Sequence, residues 1–327
     1  VATALGNTRR QAGSDGERSI RVSSGTEDSA APLLRLAIGI ATIGRAAILA
    51  ETVAEVRRQT RRPDRLVLCG TRPEDVAGIA LERPDEMVVM AEAGLPRQRN
   101  RILDATTDCD VVLFLDDDFL MQPGYLAETE RMFATLRGLV VSTGTVLADG
   151  IGGPGLSPAE GRAILAADRR NPSPVGTAEP TFCGYGCNMA VQAAVARRHG
   201  IRVDERLPLY AWQEDVDFTR RLAAHGAVLR LPGARGVHLG TKLGRGSGLR
   251  LGYSQVANPL YLARKTAGGA YPFSYAGTRI LRNLGANLLR ATWPEPHVDR
   301  RGRLRGNLLA LLDLLRGRMA PERVLEL

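Results

Sequence analysis

The sequence predicts an α/β fold in which a mostly parallel central sheet is flanked by helices, with a helical extension at the C-terminal end. Three observations predict it. Short, continuously apolar runs alternate with helical patterns from Leu33 onward, an acidic cluster directly follows one of those runs, and a leucine- and arginine-rich segment with helical spacing closes the chain. Unbroken apolar runs suit strands covered on both faces, the condition of parallel strands packed between helices.

Residues 1–32 are rich in Gly, Ser, Thr and balanced charges and hold too little apolar surface to order themselves, so a disordered N-terminal segment is expected. A main domain over 33–275 follows. Residues 36–40 read as a buried strand, 46–59 as a helix, 65–69 as a second strand and 111–115 as a third. Pro123 is expected to open a helix that places Tyr125, Thr129, Met132, Phe133 and Leu136 on one face, with Gly138 at its C-terminal cap. Residues 149–180, rich in Gly and Pro, read as a long irregular loop near the site. Residues 276–327 form the extension: from Gly277 on, ten arginines face five acids, and Leu304, Leu308, Leu311, Leu312 and Leu315 recur at helical spacing. A basic amphipathic helix follows from that pattern, either packed on the main domain with a solvated basic face or in contact with an anionic membrane.

Composition narrows the class. Apolar residues at 44% and charged residues at 24% are the balance of a globular protein, not of a disordered or fibrous one. Four scattered cysteines give no disulfide framework, and Cys183 with Cys187 lacks the second pair a closed zinc site needs. The net charge of +9 implies an anionic partner: nucleic acid, a membrane surface or a phosphorylated small molecule. No apolar run is long enough to span a bilayer and the N-terminal residues lack a signal-peptide core. A cytoplasmic protein is therefore expected, with peripheral contact at the inner face of the membrane through the basic C-terminal helices.

Two segments carry chemistry. Asp116, Asp117 and Asp118 sit directly after an apolar strand. Adjacent carboxylates repel, so a fold that gathers them at a strand end usually neutralises them with a cation, which favours Mg²⁺ or Mn²⁺; a solvated acidic turn is the alternative. In open α/β sheets ligands bind beyond the carboxyl ends of strands, where this cluster falls. Downstream, Glu214 and Asp215 begin a helix in which Val216, Thr219 and Leu222 share a face. Acids there either cap the helix dipole or include a general base for an acceptor hydroxyl.

Together these segments resemble family 2 of the inverting glycosyltransferases of the GT-A fold, across roughly residues 36–265. The run Gly94-Leu95-Pro96-Arg97-Gln98-Arg99-Asn100 resembles the family's Gly-x-x-x-Ala-Arg-Asn segment, Gly184 to Met189 its Gly-x-Asn-Met segment, and Val203-Asp204-Glu205-Arg206-Leu207 its Phe-Asp-Glu-x-Leu. The resemblance implies transfer of a sugar from a nucleotide-diphosphate donor to a saccharide or lipid-linked acceptor, with inversion and a divalent metal, in surface polysaccharide or glycoconjugate assembly. It implies Asp215, with Glu214, as catalytic; Thr42, Arg45, Arg97, Asn100, Asp116 and Asp117 around the donor; Gly186, Asn188 and Trp212 on the acceptor side; and Asp118 and His238 on the metal. Lys242, Arg245 and Arg250 could close over the diphosphate or form a solvated basic loop.

The sequence departs from the family's pattern at two points. Ala41-Thr42-Ile43-Gly44-Arg45 keeps only the arginine of Pro-x-Tyr-Asn-Arg, and Cys69-Gly70-Thr71 has no acid where relatives carry Asp-Asp/Asn-Gly-Ser. Neither Gly-x-Gly-x-x-Gly after a strand nor a P-loop is present, which argues against dinucleotide-dependent oxidoreductases and P-loop ATPases. Nucleic acid is not expected as a partner of the transferase. The competing reading is a non-catalytic basic protein that binds membrane or nucleic acid on a transferase-like fold.

Overall fold

The computed structural model describes residues 20–21, 34–171, 174–242, 247–292 and 295–327. In chain order its elements are β1 (Ile20–Arg21), β2 (Leu36–Ala41), α1 (Ala46–Arg57), β3 (Arg65–Gly70), β4 (Glu86–Met90), α2 (Leu95–Ala105), β5 (Val111–Asp116), β6 (Phe119–Met121), α3 (Tyr125–Thr135), β7 (Leu139–Asp149), α4 (Pro158–Asp168), β8 (Thr177–Pro180), β9 (Asn188–Gln192), α5 (Ala193–Arg198), α6 (Glu214–Leu222), β10 (Ala227–His238), α7 (Gly248–Lys265), α8 (Phe273–Arg290) and α9 (Arg300–Leu315). Of residues 1–32, only β1 falls among the described residues, paired antiparallel with β8.

The strands form one sheet in the order β1-β8-β10-β7-β9-β5-β2-β3-β4, with β6 paired to β10. Strands β4, β3, β2 and β5 are parallel, as their apolar runs predict. Beyond them the sheet is mixed: β9 runs antiparallel between β5 and β7, and β7 pairs parallel with β10. Because β9 reverses direction, the carboxyl ends of β2, β5, β7 and β10 and the start of β9 all reach one edge. That edge collects Thr42, Asp116, Asp149, His238 and Asn188.

Alternating side chains fill both faces. Leu36, Ile38, Leu113 and Leu115 pack with Leu49 and Val53 of α1 and Tyr125 and Met132 of α3. Ala37, Val112 and Phe114 pack oppositely with Ile102 of α2 and Phe218 and Leu222 of α6. Gly39 makes the second contact possible, since a Cβ there would lie 2.2 Å from Ile102.

Two local expectations are corrected. Pro123 lies in a turn, where its carbonyl accepts the Thr60 N–H, and the helix starts at Tyr125 after the short strand β6. Residues 149–180 are not irregular but hold a turn of 3₁₀ helix, α4 and β8. Ser157 and Glu160 cap α4 reciprocally, with Pro158 at its first position. This helix-start pattern is masked in the sequence by the surrounding glycines and prolines.

The extension packs on α7 through an apolar cluster, in which Ile280, Leu309, Leu311 and Val324 meet Tyr253 and Val256, and through buried polar contacts. Asn287 of α8 donates to Asn307 of α9 and to Gln255 of α7, and Tyr253 donates to Asp313. The leucine stripe of α9 is split: Leu311 packs against the α7 side with Leu304 half-buried, whereas Leu308, Leu312 and Leu315 are exposed, and Gly306, Asn307, Ala310 and Asp313 are the buried positions. No described helix is long and apolar enough to cross a membrane.

Candidate active site

Backbone register assembles the acidic edge. His238 pairs with Asp149 on one side and with Phe119, the residue after Asp118, on the other. The His238 ring therefore sits among three carboxylates, its Nδ1 at 2.9 Å from Asp149 Oδ1 and its Nε2 at 3.3 Å from Asp118 Oδ1 and 3.7 Å from Asp116 Oδ2. Asp149 is fixed in turn by the Tyr185 hydroxyl at 2.7 Å. Burial alone would lower the imidazole's pKa, but these carboxylates raise it to about 10. Burial would likewise raise Asp118, yet His238, Arg45 and the Thr241 N–H hold it at about 2.

Asp116, Asp118 and His238 each offer one ligand atom, all within 4.8 Å of one another. Two carboxylate oxygens and one imidazole nitrogen suit Mn²⁺ or Mg²⁺ with sites left for phosphate oxygens. The donor set fits: an imidazolium already balances the acids, and a divalent cation can take that place as the proton leaves. Asp149 on Nδ1 leaves Nε2 as the ligand atom. The backbone behind the cluster is pressed close, for Gly240 has φ +65° and a Cβ there would lie 2.2 Å from the Gly150 carbonyl carbon. Only glycine suits both conditions.

Asp117 points away from this set. It is buried against α1, accepts the Thr42 hydroxyl at 2.8 Å and pairs with Arg45 at 3.2 Å, and burial pushes its carboxyl up to about 7 against those partners. Thr42 and Arg45 thus hold Asp117, and Arg45 also lies 3.7 Å from Asp118.

The second acidic segment meets the first through Arg99. Its guanidinium is 2% exposed, bonds Glu214, donates to the Gly186 carbonyl at 2.7 Å, reaches Asp116 at 3.4 Å and lies over the Phe114 ring. Glu214 is buried, and burial pushes its carboxyl upward while Arg99 pulls it back. Asp215 is only partly buried, and accepts the N–H groups of Gly186 and Val216, both at 2.9 Å. Leu209, Ala211 and Gln213 all adopt positive φ just before this helix. Such conformations are costly for residues with a Cβ and persist where surrounding bonds impose them. Tyr271 bonds the Gln213 side chain at 2.7 Å and Asn258 the Trp212 carbonyl at 2.9 Å.

Several expected residues lie elsewhere. Arg97 is exposed and paired with Glu92; Arg99, two positions on, is the arginine that enters the site. Asn100 bonds Val203 and Glu205, and Asn188, fully buried, bonds Thr143 and Gly144, so both tie backbone segments together. Gly186 donates its N–H to Asp215, and Trp212, three residues before it, is half-buried. Lys242 bonds the carbonyls of Gly150 and Ile151, next to Thr241 whose N–H binds Asp118, and Arg250 bonds the Leu327 carbonyl; Arg245 lies outside the described residues. Asp149 and Tyr185 are site residues that sequence spacing did not reveal.

The sequence matches no protein-family model and no curated protein. In three dimensions the chain is similar to GalNAc-T7 in a structure with UDP, GalNAc and Mn²⁺ (TM-score 0.52, 16% identity, 80% of this chain and 58% of that one). It therefore spans little more than half of the GalNAc-T7 chain. It is also similar to the mannosyltransferase PcManGT of Pyrobaculum calidifontis with GDP-Man and Mn²⁺ (0.51, 16%, 89% and 85%) and to S. aureus TarS 1-349 (0.55, 12%, 89% and 82%). The fold is that of the GT-A glycosyltransferases.

Proposed function

We propose that this chain is an inverting, family 2-type glycosyltransferase. In this reading it moves a sugar from a nucleoside-diphosphate donor to a saccharide or lipid-linked acceptor hydroxyl in surface polysaccharide or glycoconjugate assembly. The observation that carries the reading is the span of Arg99: one buried guanidinium touches Asp116 of the metal-capable set and Glu214 beside the partly exposed Asp215. A metal set joined rigidly to a carboxylate that can reach an acceptor is what a single displacement needs. The nucleotides and Mn²⁺ in the similar structures support the donor class.

A divalent ion on Asp116, Asp118 and His238 would stabilise the charge that develops on the departing diphosphate. Asp215 takes the proton from the acceptor hydroxyl, while Gly186 and Val216 N–H groups aim its oxygens. Glu214 holds Arg99 charged, and Arg99 holds the Gly186 carbonyl and Asp116. Trp212 lines the acceptor side.

Thermal unfolding with UDP, GDP and dTDP, each with and without Mn²⁺, tests the donor. A nucleotide at about 100 times its dissociation constant should add roughly 2.7 kcal/mol, only with metal, and Asp118→Asn should abolish the gain. Stabilisation by no nucleotide would remove the transferase reading. The metal set has its own test in Asp149→Ala, which frees Nδ1 of His238. Mn²⁺ affinity by calorimetry should fall about 10–100-fold, and an unchanged affinity would exclude His238 as an oriented ligand.

A further inference from the structure

We infer that the outer faces of α8 and α9 dock this protein on an anionic phospholipid surface. Both helices carry large exposed leucines on their outer faces, more apolar surface than a water-soluble bundle ordinarily leaves to solvent. Their inner faces combine polar and small residues, Asn287 on α8 and Gly306, Asn307, Ala310 and Asp313 on α9, with Ile280, Leu309 and Leu311 packed toward α7. Their outer faces carry a second set of leucines that is exposed to solvent.

On α8, Leu281, Leu288 and Leu289 stand at i, i+7 and i+8 and are 70%, 60% and 78% exposed. Gly277 and Gly285 extend the same stripe, and a Cβ at either would meet nothing within 4 Å. On α9, Leu308, Leu312 and Leu315 stand at i, i+4 and i+7, Leu315 being 86% exposed, and exposed Arg301 and Arg305 continue that face toward the helix start. Exposed Arg282 and Arg316 flank the leucines.

An apolar stripe bordered by arginines matches the interface of an anionic bilayer, where leucines enter the acyl boundary and guanidiniums bind headgroup phosphates. Charge decides against a second copy as the occupant. Residues 277–327 hold ten arginines and five acids, so two such surfaces would repel. Both helices pack on α7, and α7 and the segment between α7 and α8 touch the site, since Asn258 and Tyr271 hold Trp212 and Gln213. Docking would therefore set the height of Asp215 above the surface, as a lipid-linked acceptor requires, though binding itself does not depend on the transferase reading.

Flotation of the full chain with vesicles tests the inference, using phosphatidylcholine alone or with about one third phosphatidylglycerol. Binding is expected only with phosphatidylglycerol and should weaken at high salt. Leu288→Glu with Leu289→Glu should lower partitioning at least about tenfold, and Leu315→Glu should weaken it independently, with unfolding temperatures unchanged. Arg282→Gln and Arg305→Gln should each cost about fivefold. Equal binding to both vesicle types would overturn the proposal. So would indifference to the leucine substitutions, or a dimer in sedimentation that those substitutions dissociate while no vesicle is bound.

Discussion

Replacing Asp215 by asparagine should lower turnover roughly 10²–10⁴-fold, the contribution expected of a positioned general base, while Mn²⁺-dependent nucleotide binding survives. The separation of effects follows from the hydrogen bonds: the Asp215 carboxylate accepts the Gly186 and Val216 N–H groups and is not one of the three ligand groups, although it lies near enough to Asp116 for their charges to repel. An amide can accept only one of those two N–H groups, so a loss of about 1–2 kcal/mol in stability should accompany the change. The pH dependence gives a second readout. Burial raises the Asp215 carboxyl above its ordinary value, against Arg99 and the two N–H groups. A base works deprotonated, so the rate should fall as pH drops through that raised value, and the acidic limb should lie above the usual aspartate range. Activity within tenfold of the parent in Asp215→Asn, or an acidic limb that persists unaltered in the variant, would take the base assignment away.

How far the site can be read from sequence depends on whether position is set locally. The aspartate cluster and the Glu214-Asp215 pair are legible because a strand end and a helix start fix them within a few residues. Which of three adjacent aspartates faces the metal is not, since successive side chains diverge: Asp116 and Asp118 turn to His238, Asp117 to Thr42. Arg97 and Arg99 are about 200° apart around α2, so one enters the site and the other meets solvent. Asp149 was hidden for another reason. It lies 89 residues from His238, and only the β7–β10 register brings the two together. The leucines of α9 show the limit of periodicity, which identifies a face but not what covers it.

The largest effect on stability should come from Arg99→Met. It would leave Glu214 buried without its counter-ion, and breaking a buried pair by removing one partner costs about 3–5 kcal/mol. Glu214 Oε2 already has no hydrogen-bond partner among the described residues, so nothing nearby can take over the charge. Glu214→Leu in the same chain should recover most of that loss, because a buried ion pair is commonly replaced by apolar groups at little net cost. Denaturant midpoints for the parent, both single variants and the double variant give the coupling. Activity should not return with stability, since Arg99 also holds the Gly186 carbonyl and Asp116, contacts that Met cannot make. Additive losses would mean that the two charges do not depend on each other. A stable and active double variant would show that the pair serves only to fill the interior. Stability recovered without activity is the outcome that makes Arg99 the residue joining the metal-capable set to the base.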